Sequence, residues 1–320
     1  MNKLLFPFFI CLMLISCGAN HSDVPVIGFV DAFEDHTLSQ AKKGFLDALS
    51  DSGFAEKNKT VRIIYRNAQG NIPTLTQIVK YFVTEKVNLI AACPTLSAIT
   101  AVQNTKDIPV FMMVSGTPTL MKVNDATGHP PKNLFGVGEN LDYIDTSFLL
   151  IPKLIRPASG QLTVGMIFNQ SEPQSVEAIE RIRSLAAANG IRLVSLPVNS
   201  SADVQLVTSS LLSKKIDAFF ANPDNTVFSS FENIVRSCNQ AGVPVFTSEA
   251  GLVDRGAVAA YGADIYRWGY QAGAEAAKYL RSKTTEGLSW EMVKERKKVY
   301  NVDAARKFSL HFPEDYQPVR

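Results

Sequence analysis

The chain has 320 residues, 46% of them apolar and 19% charged, a composition that excludes bulk disorder and allows one large or two ordinary globular domains. Its 32 basic and 30 acidic residues leave a formal charge of +2, which gives no electrostatic footprint for nucleic acid.

The first residues are not part of the fold. A short positive lead, Met1-Asn2-Lys3, precedes the apolar stretch Leu4 to Ile15. That stretch is shorter than the roughly 20 residues a helix needs to span a bilayer, so it reads as a secretory signal. It ends in Leu14-Ile15-Ser16-Cys17-Gly18, which resembles a bacterial lipobox. The expectation is a signal over residues 1–16, lipidation of Cys17 as the first mature residue, and a polar tether over 18–23. Cys93 and Cys238 then remain; both lie in apolar surroundings and read as small buried side chains rather than a disulfide framework.

The folded part opens with a strand at Val26–Val30. Leu38, Ala41, Gly44, Phe45, Ala48 and Leu49 then recur at helical spacing up to Gly53. Strands follow at Val61–Tyr65, Leu89–Ala92 and Pro109–Val114, separated by a helix carrying Leu75, Ile78, Val79, Phe82 and Val83 and a short helix over 96–105. Continuous apolar strands alternating with amphipathic helices predict a parallel sheet covered on both faces. Ser115 to Asn133, with Pro118, Gly128, Pro130 and Pro131, breaks the rhythm as a long loop.

A second series begins at the strand Leu162–Phe168. A helix over Glu172–Asn189, a strand over Arg192–Pro197, a helix over Ser201–Lys214, a strand over Asp217–Phe220, a helix over Thr226–Gln240 and a strand from Val243 follow in order. Ile108-Pro109-Val110-Phe111 and Val243-Pro244-Val245-Phe246 occupy equivalent points. The layout is that of two Rossmann-like α/β lobes with parallel sheets, suited to a hinged clamp around a small molecule.

Catalytic and metal signatures are weak. The histidines at 21, 36, 129 and 311 are scattered, and there is no nucleophile elbow and no phosphate-binding P-loop. Gly136-Val137-Gly138 lacks the third glycine of a dinucleotide loop and reads as a turn. No cofactor or metal is expected, and the chain reads as a non-enzyme. An extracytoplasmic enzyme, with Glu172, Asp224 and Glu249 as acid/base candidates, and a sensory ligand-binding module are the alternatives for the same cleft.

Polar residues that end strands carry more weight, because ligands of open α/β sheets sit at the carboxyl ends of the strands. Thr95, Ser97 and Thr117 occupy such positions in the first half, and Asn169, Glu172, Asp224, Asn225 and Glu249 in the second. Asp264 joins them, and Asp224, Glu249 and Asp264 are the acids able to meet an ammonium. Each also has a plain role as a helix cap or turn residue. On this expectation Asp224→Ala weakens ligand binding and leaves the melting temperature of the free protein nearly unchanged.

Several stretches together carry a family likeness: Asn67-Ala68-Gln69-Gly70-Asn71, Pro94-Thr95, Ile108-Pro109-Val110-Phe111, Phe168-Asn169 with Glu172, Pro223-Asp224-Asn225-Thr226-Val227, and Arg255-Gly256-Ala257 before Gly262-Ala263-Asp264-Ile265-Tyr266. In these the chain resembles the ABC-transporter substrate-binding lipoproteins of the tryptophan/phenylalanine-binding type, of periplasmic-binding-protein type I fold. The resemblance implies two lobes joined by hinge crossovers, with an amino acid, often aromatic, held between them. It implies that the helix Tyr266–Arg281 returns to the first lobe. The lobes become 24–139 plus about 265–290, and 140–264 plus about 291–320. ABC permease subunits and a membrane, reached through the lipid on Cys17, are the implied partners, on the periplasmic or outer face of the cell envelope. The pattern departs at Thr37, Gly116-Thr117-Pro118, Gln174 and Gly251, while Glu249 adds a carboxylate.

Overall fold

The computed structural model describes residues 24–33, 36–157 and 160–319. The signal, the Cys17 lipidation site and the tether lie outside the described residues.

The first series comprises β1 (Val26–Asp31), α1 (His36–Asp51), β2 (Arg62–Asn67), α2 (Ile72–Thr84), β3 (Leu89–Cys93), α3 (Thr95–Asn104), β4 (Val110–Gly116) and β5 (Leu134–Glu139). The second comprises α4 (Tyr143–Phe148), α5 (Ile151–Leu154), β6 (Thr163–Asn169), α6 (Pro173–Ala188), β7 (Arg192–Val198), α7 (Val204–Leu212), β8 (Ala218–Ala221), α8 (Asn225–Ser229), α9 (Phe231–Gln240), β9 (Val245–Thr247) and β10 (Ala259–Ala263). The chain closes with α10 (Ile265–Ser282), β11 (Trp290–Met292), β12 (Arg296–Asn301), α11 (Val302–Lys307) and β13 (Gln317–Val319).

Two parallel sheets result. The first runs β11-β5-β4-β3-β1-β2 and the second β7-β6-β8-β9. The Val258 amide donates to Val245 O at 2.6 Å and stitches the second sheet to the small β10-β12-β13 sheet. This is the expected two-lobed α/β architecture. Strands buried on both faces need apolar residues at every position, which is why β3 (Leu-Ile-Ala-Ala-Cys) carries no alternation.

α10 lies against α1 in the first lobe. Both helices use glycine at the crossing: a Cβ on Gly44 would stand 2.0 Å from Tyr266 O, and one on Gly269 1.9 Å from Ala41 O. Backbones this close leave no space for a side chain. β11 then pairs with β5, so Trp290–Met292 stays in the first sheet, and the chain enters β12 beside β10 only at Arg296.

Two local readings change. Gly136-Val137-Gly138 is the middle of β5, not a turn: a Cβ on Gly136 would come within 2.4 Å of Met112 O, so glycine lets β5 press against β4. The single helix expected over Thr226–Gln240 is two, α8 and α9, broken at Ser230.

Candidate functional site

The carboxyl ends of β1, β3 and β4 in one lobe face those of β6, β8 and β9 in the other. Two hydrogen bonds between described residues cross this cleft. The Thr95 hydroxyl, at the start of α3, donates to Gln174 Oε1 at 2.6 Å, and Arg255 Nη1 donates to Thr37 Oγ1 at 3.2 Å.

The second-lobe wall is a dense polar network set by the turn Asn222-Pro223-Asp224. Asp224 caps α8 by accepting from the Val227 amide at 2.9 Å. Its other oxygen accepts the Asn169 amide at 2.5 Å and the Ser175 hydroxyl at 2.6 Å, and the residue is fully buried. Glu172, just before α6, takes five donors: the Asn225 amide (2.9 Å) and Nδ2 (2.8 Å), the Thr226 amide (3.2 Å) and hydroxyl (3.0 Å), and Asn169 Nδ2 (3.4 Å). Burial, and then the neighbouring Asp224, push the Glu172 carboxyl up to about 7. Burial raises Asp224 as well, against the pull of Ser175 and the backbone amides.

Glu249, after β9, sits in a different environment. One oxygen accepts the Tyr143 hydroxyl at 2.6 Å, and burial raises its carboxyl to about 7. Nearby, Glu139 at the end of β5 is clamped by Arg296, whose Nη2 reaches its two oxygens at 2.6 and 2.7 Å. This pair ties the exit from the first sheet to the start of β12, beside the crossing between lobes.

The cleft is a row of three chambers. The outer one, about 570 Å³, is lined by Phe33, Gln69, Leu96, Asn169, Glu172 and Ser200 among others. Two inner chambers of about 20 and 40 Å³ share Leu38 and Val114 from the first lobe with Asn225, Phe228 and Glu249 from the second. Val114 has φ +49, in the left-handed region that a β-branched residue rarely occupies, at the irregularity where the β4–β5 register shifts. Such a break re-aims a side chain, here into the cleft.

The expected residues thus divide. Asn169, Glu172, Asn225 and Glu249 line the chambers, and Thr95 bridges to Gln174. Asp224 lines none of the three; it is fully buried, and both its oxygens are bonded inside the wall. Ser97 is buried with its hydroxyl on Cys93 O at 2.7 Å, and Thr117 holds the Leu120 amide at 3.3 Å in its own turn. Asp264 stands away from the chambers at the crossing between lobes, capping α10 and paired with Lys297 at 3.2 Å. Leu38, Val114 and Tyr143 were not expected at the site. The first two carry only a core-like apolar signal, and Tyr143 lies on a short helix without periodicity. Among the described residues there is no cluster of potential metal ligands, and no helix is long and apolar enough to cross a membrane.

Comparison with known proteins places this geometry. A family model described as ABC transporter substrate binding protein matches residues 24–317. A tyrosine-binding protein of Clostridioides difficile (strain R20291) is 31% identical over 284 residues, covering 89% of this chain and 81% of that protein. The crystal structure of a conserved domain protein from Vibrio cholerae O1 biovar eltor str. N16961 is 29% identical with a TM-score of 0.83, over 93% of this chain and 100% of that one. The ligand-free, open structure of a substrate binding protein with adhesive properties from Clostridium difficile is 27% identical with a TM-score of 0.67, over 93% and 99%.

Proposed function

The chain belongs to the ABC transporter substrate binding protein family, and on that premise we propose that it is a lipid-anchored receptor that closes its two lobes on an amino acid and hands it to a membrane permease. It is an extracytoplasmic substrate-binding protein for small ligands.

The observation that carries the amino-acid ligand is the row of chambers walled by both lobes, apolar at Leu38, Val114 and Phe228 and polar at Asn225 and Glu249. An apolar body with a polar head suits such a lining. The lobes touch at Thr95–Gln174 and Arg255–Thr37, the kind of contact that a closed arrangement makes. At nearly equal identity, the open, ligand-free relative superposes less well than the Vibrio structure, in keeping with lobes that move as bodies. Ligand then acts by population shift, binding the closed arrangement better than the open one.

Within this proposal Asn169, Glu172, Asn225, Glu249 and Thr95 face the ligand, and Asp224 positions Asn169 and α8. The residues before the fold supply the signal (1–16) and the lipid on Cys17. Mass spectrometry of small molecules released by denaturing the purified protein should detect an amino acid. Cys17→Ser should move the protein from the membrane fraction to the soluble one. Release of a sugar or a carboxylic acid without an amine would contradict the ligand class, and an unchanged distribution would contradict the anchor.

A further inference from the structure

Among the described residues, Glu172, Asp224, Glu139 and Glu249 stand at or near the chambers, and the first three are already engaged; Asp31, at the end of β1, keeps Oδ1 without a partner but lines none of the chambers. Glu172 accepts five donors from its own wall. Asp224 accepts three and faces no chamber. Glu139 is held by Arg296. Of the carboxyls that line a chamber, Glu249 alone differs: Tyr143 occupies Oε1, while Oε2 has no hydrogen bond among the described residues. The residue is 5% exposed, yet it lines both inner chambers beside Leu38, Val114 and Phe228.

The opposite charge is absent from the lining: Arg255, which donates to Thr37 Oγ1 and Phe228 O, is paired with Glu232. Among the described residues, no lysine or arginine lines any of the three chambers. The amides that open α8, which could otherwise meet an anion, are taken by Glu172 and Asp224. A carboxylate buried without a cation is costly, and a bound ammonium removes that cost. A ligand carboxylate finds no lysine or arginine in the lining, and the side-chain donors it can meet there are neutral, the Gln174 amide nitrogen among them.

We propose that Glu249 is the anchor for the ligand's ammonium group in the inner chambers and that the ligand's carboxylate is dispensable, so that arylalkylamines are ligands of this protein alongside amino acids. This rests on the amino-acid ligand proposed above and specifies which end of it is gripped.

Three compounds of one shape separate the two ends: L-tyrosine, tyramine (amine only) and 4-hydroxyphenylpropionate (carboxylate only), titrated calorimetrically into the mature protein. Tyramine should bind within about tenfold of tyrosine, and the carboxylate-only compound about a hundredfold more weakly or worse. In Glu249→Gln, which keeps an acceptor for Tyr143, tyramine should lose about a hundredfold. If that variant does not fold, the wild-type series decides alone. Binding of 4-hydroxyphenylpropionate at tyrosine's affinity, with tyramine silent, overturns the anchor while leaving a tyrosine-type ligand in place. Silence from all three, with the same silence from the phenylalanine, phenethylamine and phenylpropionate set, overturns the arylalkylamine ligands, while the amino-acid ligand stands or falls on the molecule released by denaturation.

Discussion

The two walls of the cleft are built on opposite principles. The second-lobe wall is polar and closed on itself: Asn169, Glu172, Ser175, Asp224, Asn225 and Thr226 satisfy one another while buried. The first-lobe wall offers side chains such as Phe33, Leu38 and Val114, with Thr95 as its polar reach across the gap. A wall whose carboxylates Glu172 and Asp224 are bonded before ligand arrives is rigid, whereas an apolar wall can separate from its partner without orphaning donors. The difference teaches which residues hold shape and which hold ligand. Asp224 belongs to the first kind, and the proposal above assigns Glu249 to the second.

The largest break in the comparison should come from Asp224→Ala. It strands the Asn169 and Val227 amides and the Ser175 hydroxyl in a buried site, at a cost of about 3 kcal/mol or more. Denaturant unfolding of the free protein should show that loss. This reverses the expectation drawn from sequence, under which the melting temperature stays nearly unchanged; an unchanged midpoint would return Asp224 to a ligand-contact role.

Next in size is the pH dependence. The Glu172 and Glu249 carboxyls, and Asp31 in the first lobe, are raised by burial to about 7. A raised carboxyl binds its proton more tightly in the folded than in the unfolded state. Its contribution is therefore full below the ordinary carboxylate range and is lost as pH rises towards and through about 7. The free protein should lose stability between about pH 5 and pH 8, by roughly 3 kcal/mol for Glu249 alone at most, and Glu249→Gln should flatten part of the slope. The groups around Glu249 are Tyr143, itself raised, and the Glu139–Arg296 pair, so the slope belongs to Glu249 rather than to a titrating base beside it. Amine binding should run the other way, tightening as pH rises and Glu249 ionises. Parallel slopes for stability and affinity would break the assignment.

The smallest effect is expected at the contact between the walls. Thr95→Val removes the bond to Gln174 and should weaken ligand binding about fivefold, on the order of 1 kcal/mol, by disfavouring closure. Equal affinity in the variant would mean that this bond does not hold the closed state.

Much of this was legible in sequence. β-branched runs and helical spacing placed the strands and helices of both lobes, and the strand-end rule placed Asn169, Glu172, Asn225 and Glu249 on the cleft. Two kinds of feature were not legible. Gly136 and Gly138 look like turn residues, yet they serve the close approach of β5 to β4, a tertiary demand that no local pattern carries. A capping carboxylate such as Asp224 and a spare one such as Glu249 are also indistinguishable in sequence. Which of them faces a ligand depends on how many donors the fold aims at it, and those donors come from residues 49 and 55 positions away for Asp224 and 106 away for Glu249.

The central claim, a clamp that closes on its ligand, is tested most directly by the distance between lobes. Ile72 on α2 and Leu206 on α7 are exposed, one per lobe, and Cys93 and Cys238 are buried, so spin labels on Ile72→Cys and Leu206→Cys report the separation selectively. Titration with L-tyrosine, or with tyramine if it binds more tightly, should transfer population from a long to a short distance in proportion to occupancy. A distance distribution that stays the same at saturating ligand would contradict the clamp.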